Sequence, residues 1–138
     1  MLLRRLAPGL MLLALTAPGA FAASDPIDPE KQYSPAYAAC LNSGDAIKGV
    51  TAAMAGCTNE ELGKQDARLN RAYKAAMAGR SRAEQAKLRT VQRAWIKRRD
   101  AECREDLTGG TIDVLNIGGC HLSMTTVRAV ELERMVRR

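Results

Sequence analysis

Four cysteines, Cys40, Cys57, Cys103 and Cys120, restrict the fold of this chain more than any other feature. Whether they serve as ligands, thiols or bridges depends on the compartment, and the first residues bear on that. The chain opens MLLRRLAPGLMLLALTAPGAFAAS. Arg4 and Arg5 form a short basic region, an apolar run extends from Leu6 to about Phe21, and Ala20-Phe21-Ala22 fits the small-x-small cleavage rule of a secretory leader. The expectation is a signal peptide over residues 1–22, cut after Ala22. Pro8, Gly9, Pro18 and Gly19 interrupt the run, which argues against a membrane span. No cysteine follows it to carry a lipid, so no membrane anchor is expected in the mature form. A periplasmic or secreted chain meets an oxidising environment, where an even cysteine count reads as two disulfides. A metal centre fits poorly. There is no Cys-x-x-Cys pair, and His121 adjoins Cys120, a poor spacing for two ligands on one helix face. No metal or cofactor is expected.

The spacing of the cysteines then indicates which pair with which. Cys40 and Cys57 lie almost symmetrically about a turn at Ser43–Gly49, and Cys103 and Cys120 about Gly109-Gly110. Residues equidistant from the turn of an antiparallel helix pair face each other. Two local bridges follow, Cys40–Cys57 and Cys103–Cys120, each spanning 17 positions. Each stabilises the fold by about 3 kcal/mol through the unfolded chain.

Helix signals fill in the rest. Residues 23–34 are polar with two prolines and read as a flexible or loosely docked arm. Pro35 suits the first turn of a short helix. From Thr51 a stretch rich in Ala, Leu, Lys and Arg reads as a long helix ending at Gly79. Ser81 to Glu84 is a capping box that opens a second long helix to about Leu107. Gly109 and Gly110 stop it, and Thr111 caps a third segment, weakened by Gly118 and Gly119. The fold class is all-α: a small disulfide-bonded antiparallel helical bundle over residues 35–138, with three long helices plus a short N-terminal helix. The leader removed, 116 of the 138 residues remain, the size of one domain.

Helical spacing also places polar residues among apolar ones. Leu62, Asp66, Leu69 and Tyr73 share a face. Leu88, Gln92, Trp95, Arg99 and Cys103 share another. Met124, Thr125, Arg128, Leu132 and Met135 share a third, with His121 one turn earlier. Buried charges need partners. The expected solution is one network of Asp66, Gln92, Arg99, Asp100 and Arg128, which the Trp95 N–H could join.

This pattern of residues resembles the LprI-type domain, a family named for a secreted lysozyme inhibitor. The resemblance is carried by Cys40, Cys57, Glu61, Asp66, Leu69-Asn70, Tyr73, Leu88, Gln92, Trp95, Arg99-Asp100, Cys103, Gly109-Gly110, Cys120, Thr125, Arg128 and Leu132. It covers nearly all of the mature chain. It implies a small helical, disulfide-bonded envelope or secreted protein, and for the named member inhibition of lysozyme. The chain departs from that member in lacking a lipoprotein signal.

Two sharper functions read poorly. Glycosidase chemistry needs paired carboxylates. Of the candidates, Asp66 and Asp100 read as ion-pair partners in the bundle, and Glu60 and Glu61 as solvated. Nucleic-acid binding by Lys97-Arg98-Arg99 is disfavoured because the three point in different directions around a helix and no interleaved aromatics offer a stacking platform. Gln92, Trp95, Arg99, Asp100 and Cys103 read as structural. The expectation is an exported non-enzymatic binding protein, an inhibitor of a lysozyme-like muramidase. Its contact loop would be Ser43–Gly49, held by the Cys40–Cys57 bridge, with Asp45 and Lys48 as candidate contact residues and Lys48 as the plug for a carboxylate-lined groove. Electrostatics does not assist: without Arg4 and Arg5 the formal charge falls from +6 to about +4, and many lysozymes are basic. The alternatives are an envelope adaptor that binds peptidoglycan or lipopolysaccharide through Arg80, Arg82, Lys87, Arg89 and Arg93, and an immunity protein against a cell-wall hydrolase.

Overall fold

The computed structural model describes residues 25–105 and 107–137, so the expected leader and its cleavage site lie outside the described residues. The described chain forms four helices: α1 Pro35–Leu41, α2 Thr51–Ala78, α3 Arg82–Glu102 and α4 Asp113–Val136. One 3-10 turn, Glu30–Gln32, precedes them, and no strand occurs among the described residues. The all-α bundle expected from the sequence is the fold. Both local bridges are present, Cys40–Cys57 with Cα atoms 5.8 Å apart and Cys103–Cys120 with Cα atoms 5.5 Å apart.

Local chemistry sets the helix ends. Pro35 occupies the first turn of α1, where its missing N–H costs nothing. At α3 the capping box forms: Ser81 Oγ accepts from the Glu84 N–H, and the Ser81 N–H donates to Glu84 Oε2 at 2.9 Å. Two ends differ from expectation. α3 stops at Glu102 rather than near Leu107, with the bridged Cys103 as its C-cap. Thr111 does not cap α4, which begins at Asp113 without a side-chain cap. The Asp113 carboxylate instead reaches back to accept from Thr108 N–H, Thr108 Oγ and Gly109 N–H, the last at 2.7 Å. Gly109, at φ +80°, supplies the turn that brings these donors together.

The packing order is less obvious than the hairpin order. α2 and α4 approach most closely, although α3 separates them in sequence. They run parallel: Gly118 lies against Thr58 near one end, and Arg68 binds Glu133 nearer the other. The reason is side-chain size. The buried face of α2 includes the small residues Thr58, Ala72 and Ala76 beside Glu61, Gln65 and Leu69, and α4 answers with Thr125, Thr126 and Ala129. Gly118 faces Thr58, where a Cβ would sit 3.4 Å from Thr58 Cγ2, at ordinary contact distance. Gly118 and Gly119 do not break α4, which runs through both. α3 closes the bundle with larger groups, Leu88 and Trp95, which complete a core with Leu69, Ala72, Ala76, Ala129 and Leu132. It stands farther from α2, and the α2/α3 seam remains an open groove.

The described part of the arm is docked rather than loose. Ser34 donates its N–H to Glu61 Oε1 at 2.9 Å and its hydroxyl to Glu61 Oε2. Gln32 receives bonds from Gln65 Nε2 and Arg68 Nη2, and Arg134 Nη1 donates to the Asp25 carbonyl. Polar residues that looked solvated in the sequence therefore serve as partners for polar groups buried on α2.

Candidate functional site

Parallel packing of α2 and α4 puts their N-termini at one end of the molecule. Both disulfides lie near that end, one on the second turn of α2 and one early in α4. Two loops therefore sit side by side, each anchored by its own bridge.

The first is the expected contact loop. Ala46 is buried and pins it to the bundle, while Gly44 and Gly49 take positive φ to reverse the chain on either side. Turn hydrogen bonds from Ile47 N–H to Ser43 O and from Val50 N–H to Asp45 O tighten it. Lys48 is exposed, as a plug would require, but it is not bare. Its Nζ lies 3.0 Å from Asp45 Oδ1 in a solvent-exposed pair. Such a pair contributes little to stability, on the order of 0.5 kcal/mol, and opens readily. The side chain that projects without a partner is Ile47, 61 % exposed.

The second loop, between α3 and α4, figured in the sequence reading as a bridged turn and not as a contact surface. Asp113 fastens it. Hydrogen bonds from the Thr108 N–H and hydroxyl and the Gly109 N–H hold its carboxyl below the usual carboxylate range. Between the loops lies an open depression of about 610 Å3, lined by Thr51, Ala52, Ala55, Gly56, Asn59, Gly110, Thr111 and Val114, with no charged residue among them. Of the nine large apolar side chains exposed among the described residues, five are at this end: Ile47, Val50, Leu107, Ile112 and Val114. The legible signal was an aliphatic next to each turn, Ile47-Lys48-Gly49-Val50 and Thr111-Ile112-Asp113-Val114. Read as helix and turn residues, they gave no hint that the fold gathers them.

The expected single polar network is divided in two, and Asp66 belongs to neither. Arg128 Nε donates to Gln92 Oε1 at 2.9 Å across α3 and α4, and its Nη1 binds Glu131. Arg99 donates to Asp100 Oδ1 through Nε and Nη2, reaches Thr125 Oγ1 at 3.4 Å, and lies 5.1 Å from the centre of the Trp95 ring. Trp95 thus joins through its face, not its N–H. Asp66 is exposed and accepts only from Asn70, one turn on. Asp66, with Tyr73, lines the open seam between α2 and α3, and among the described residues no cation lies within ion-pair distance of it. Met135 is likewise exposed.

The candidate carboxylates stand apart chemically. Glu60 is exposed, and Asp100 is held by Arg99. Glu61, expected in solvent, is fully buried. Burial pushes its pKa up, but hydrogen bonds from Ser34 and Gln65 and the charge of Lys64 prevail and hold it below the usual value. Burial, and then the charge of Arg99, hold His121 below its ordinary value despite Asp100 at 3.8 Å. Among the described residues no three His, Cys, Asp or Glu side chains gather as metal ligands would, and no helix is long and apolar enough to cross a membrane.

A family model described as lysozyme inhibitor LprI matches residues 40–132. The match starts at the first cysteine, includes both bridges and both loops, and leaves the docked arm outside. No curated protein and no solved structure matches the chain.

Proposed function

Because the chain belongs to the lysozyme inhibitor LprI family, we propose that it is an exported, non-enzymatic binding protein that inhibits lysozyme-like muramidases, and that the disulfide-tied end makes the contact. The supporting observation is that exposed Ile47, Val50, Leu107, Ile112 and Val114 lie on or beside the two bridged loops, with Val114 lining the uncharged depression between them. Clustered apolar exposure of this kind marks interaction surfaces. Bridged loops also lose little freedom on binding, which favours affinity.

The chemistry of the contact differs from a bare lysine plug. Ile47 leads, and its neighbour Lys48 exchanges Asp45 for a carboxylate of the muramidase groove, where two acids flank the scissile bond. An uncharged shoulder neither attracts nor repels a basic enzyme, so the net positive charge of the chain is no obstacle to short-range docking. Export to the periplasm or beyond accompanies this reading, since the target acts there.

Lysis of cell walls followed by turbidity tests the proposal. The mature protein at micromolar concentration is expected to slow at least one of an animal-type, a goose-type and a bacterial muramidase. Ile47→Asp should weaken inhibition more than Lys48→Ala, because it places an unpaired charge in the contact. Uninhibited lysis across that panel overturns the proposal.

A further inference from the structure

We propose that the groove between α2 and α3 is a separate binding site for an oligosaccharide that carries carboxylates, the chemistry of peptidoglycan. The groove holds about 390 Å3, within the range of small-molecule sites. It is far from the loop end: its α2 residues begin at Asp66, whereas the apolar depression ends at Asn59.

Its charge is one-sided. Arg89 and Arg93, one turn apart on α3, line the rim, are exposed, and have no carboxylate within ion-pair distance among the described residues. Arg99 is already committed to Asp100 and to the Trp95 face. The opposite wall holds a single acid, Asp66, joined to Asn70 at 3.1 Å. Two uncompensated guanidinium forks face the seam, and such forks match carboxylates bidentately. Below them half-buried Tyr73 is the aromatic side chain at the floor, with Trp95 buried under Arg99, so recognition rests on the arginine forks and the Asp66–Asn70 pair. The Asp66–Asn70 pair offers an acceptor and an amide side by side, suited to neighbouring sugar hydroxyls or an acetamido group.

Other occupants fit less well. A second copy would bring the same arginines against these. A nucleic acid needs free aromatic faces, but Trp95 is buried and Arg99 covers its ring. A partner helix would place its apolar stripe between rims that carry Arg89 and Arg93 on one side and Asp66 on the other.

Trp95 is the only tryptophan of the chain, so its fluorescence reports the groove without a label. Soluble muropeptides, chitotriose and lipopolysaccharide are titrated separately into the mature protein. The expected result is a saturable change with muropeptides that weakens about tenfold in an Arg89→Gln/Arg93→Gln variant. It should also weaken as ionic strength rises from about 0.05 M to about 0.5 M. Chitotriose, which has the sugar rings and acetamido groups but no carboxylate, is expected to bind far more weakly. Both arginines are exposed and unpaired, so the variant should keep its circular dichroism and its inhibition of muramidase. A flat response to muropeptides, equal binding of chitotriose, binding of lipopolysaccharide alone, or a response untouched by the double substitution would each overturn the proposal. Loss of muramidase inhibition by the loop-end variants with an intact muropeptide response would leave this site standing on its own.

Discussion

Glu61 has no accessible surface, yet it is ionised and satisfied by a segment distant in sequence, Ser34. Its carboxylate is the clasp that fixes the arm to α2. Glu61→Ala leaves Gln65 Nε2 with one bond fewer and frees Ser34 to face water, so the loss should be about 2 kcal/mol in urea unfolding. The backbone N–H of Ser34 should then exchange with solvent much faster than in the wild type. A more informative contrast lies between Asp66 and Arg128. Both were expected in the polar network. Only Arg128 is buried, with Gln92 depending on it. Arg128→Leu should cost about 2 kcal/mol and Asp66→Ala less than about 0.5 kcal/mol. Equal losses would show that Asp66 is not solvated as described. The misplacement of Asp66 has a simple origin. Large apolar side chains at Leu62, Leu69 and Tyr73 mark a stripe that looks like core. The stripe actually buried against α4 is Thr58, Glu61, Gln65, Leu69, Ala72 and Ala76, rotated by about one residue. It is periodic and visible in the sequence, but it is small and polar, so a search for hydrophobic periodicity passes over it.

At the scale of elements, sequence signals were legible where they were local and lost where they depended on tertiary distance. The capping box, the Pro35 start and both disulfides follow from a few neighbouring residues and stand as expected. The close α2–α4 contact does not, because helices adjacent in the chain are the natural first guess and only the matched small residues reveal otherwise. The two bridges should also differ in consequence. Replacing Cys40 and Cys57 by Ser loosens one loop and a short helix. Replacing Cys103 and Cys120 by Ser frees the end of α3, where the core is thin. Each should lower stability by about 3 kcal/mol through the unfolded chain. The second should also increase hydrogen exchange along the last turns of α3, from Arg99 to Glu102. If both pairs of substitutions leave the denaturation midpoint unchanged, the bridges do not stabilise this bundle. The same variants bear on function. Inhibition of muramidase should weaken with either pair, since each anchors one of the two loops that flank the depression.

For the whole molecule, the distribution of carboxylates sets the response to acid. Two of them tie separate parts together: Glu61 holds the arm to α2, and Glu133 holds α4 to α2 by a bidentate bond with Arg68, at 2.7 and 2.9 Å. Both are held below the usual carboxylate range, Glu61 against burial by its hydrogen bonds and Glu133 chiefly by the hydrogen bond from Arg68. A group whose pKa is lower in the folded than in the unfolded chain stabilises the fold above its unfolded value, about 4.3 for glutamate. That contribution is lost as pH falls through the folded value, because the unfolded chain then binds the proton more readily. His121 acts in the same direction at higher pH. Its folded pKa is lowered, so its protonation favours unfolding once pH drops below about 6.5. Thermal melts followed by Trp95 fluorescence should therefore show a shallow fall in midpoint below about pH 6.5 and a steeper one below about pH 4.3. His121→Gln should flatten the first, and Glu61→Gln with Glu133→Gln the second, at the expense of stability near neutral pH. A midpoint that rises on acidification would reverse the sign required by these contacts and would mean that Glu61 and Glu133 are protonated in the native bundle.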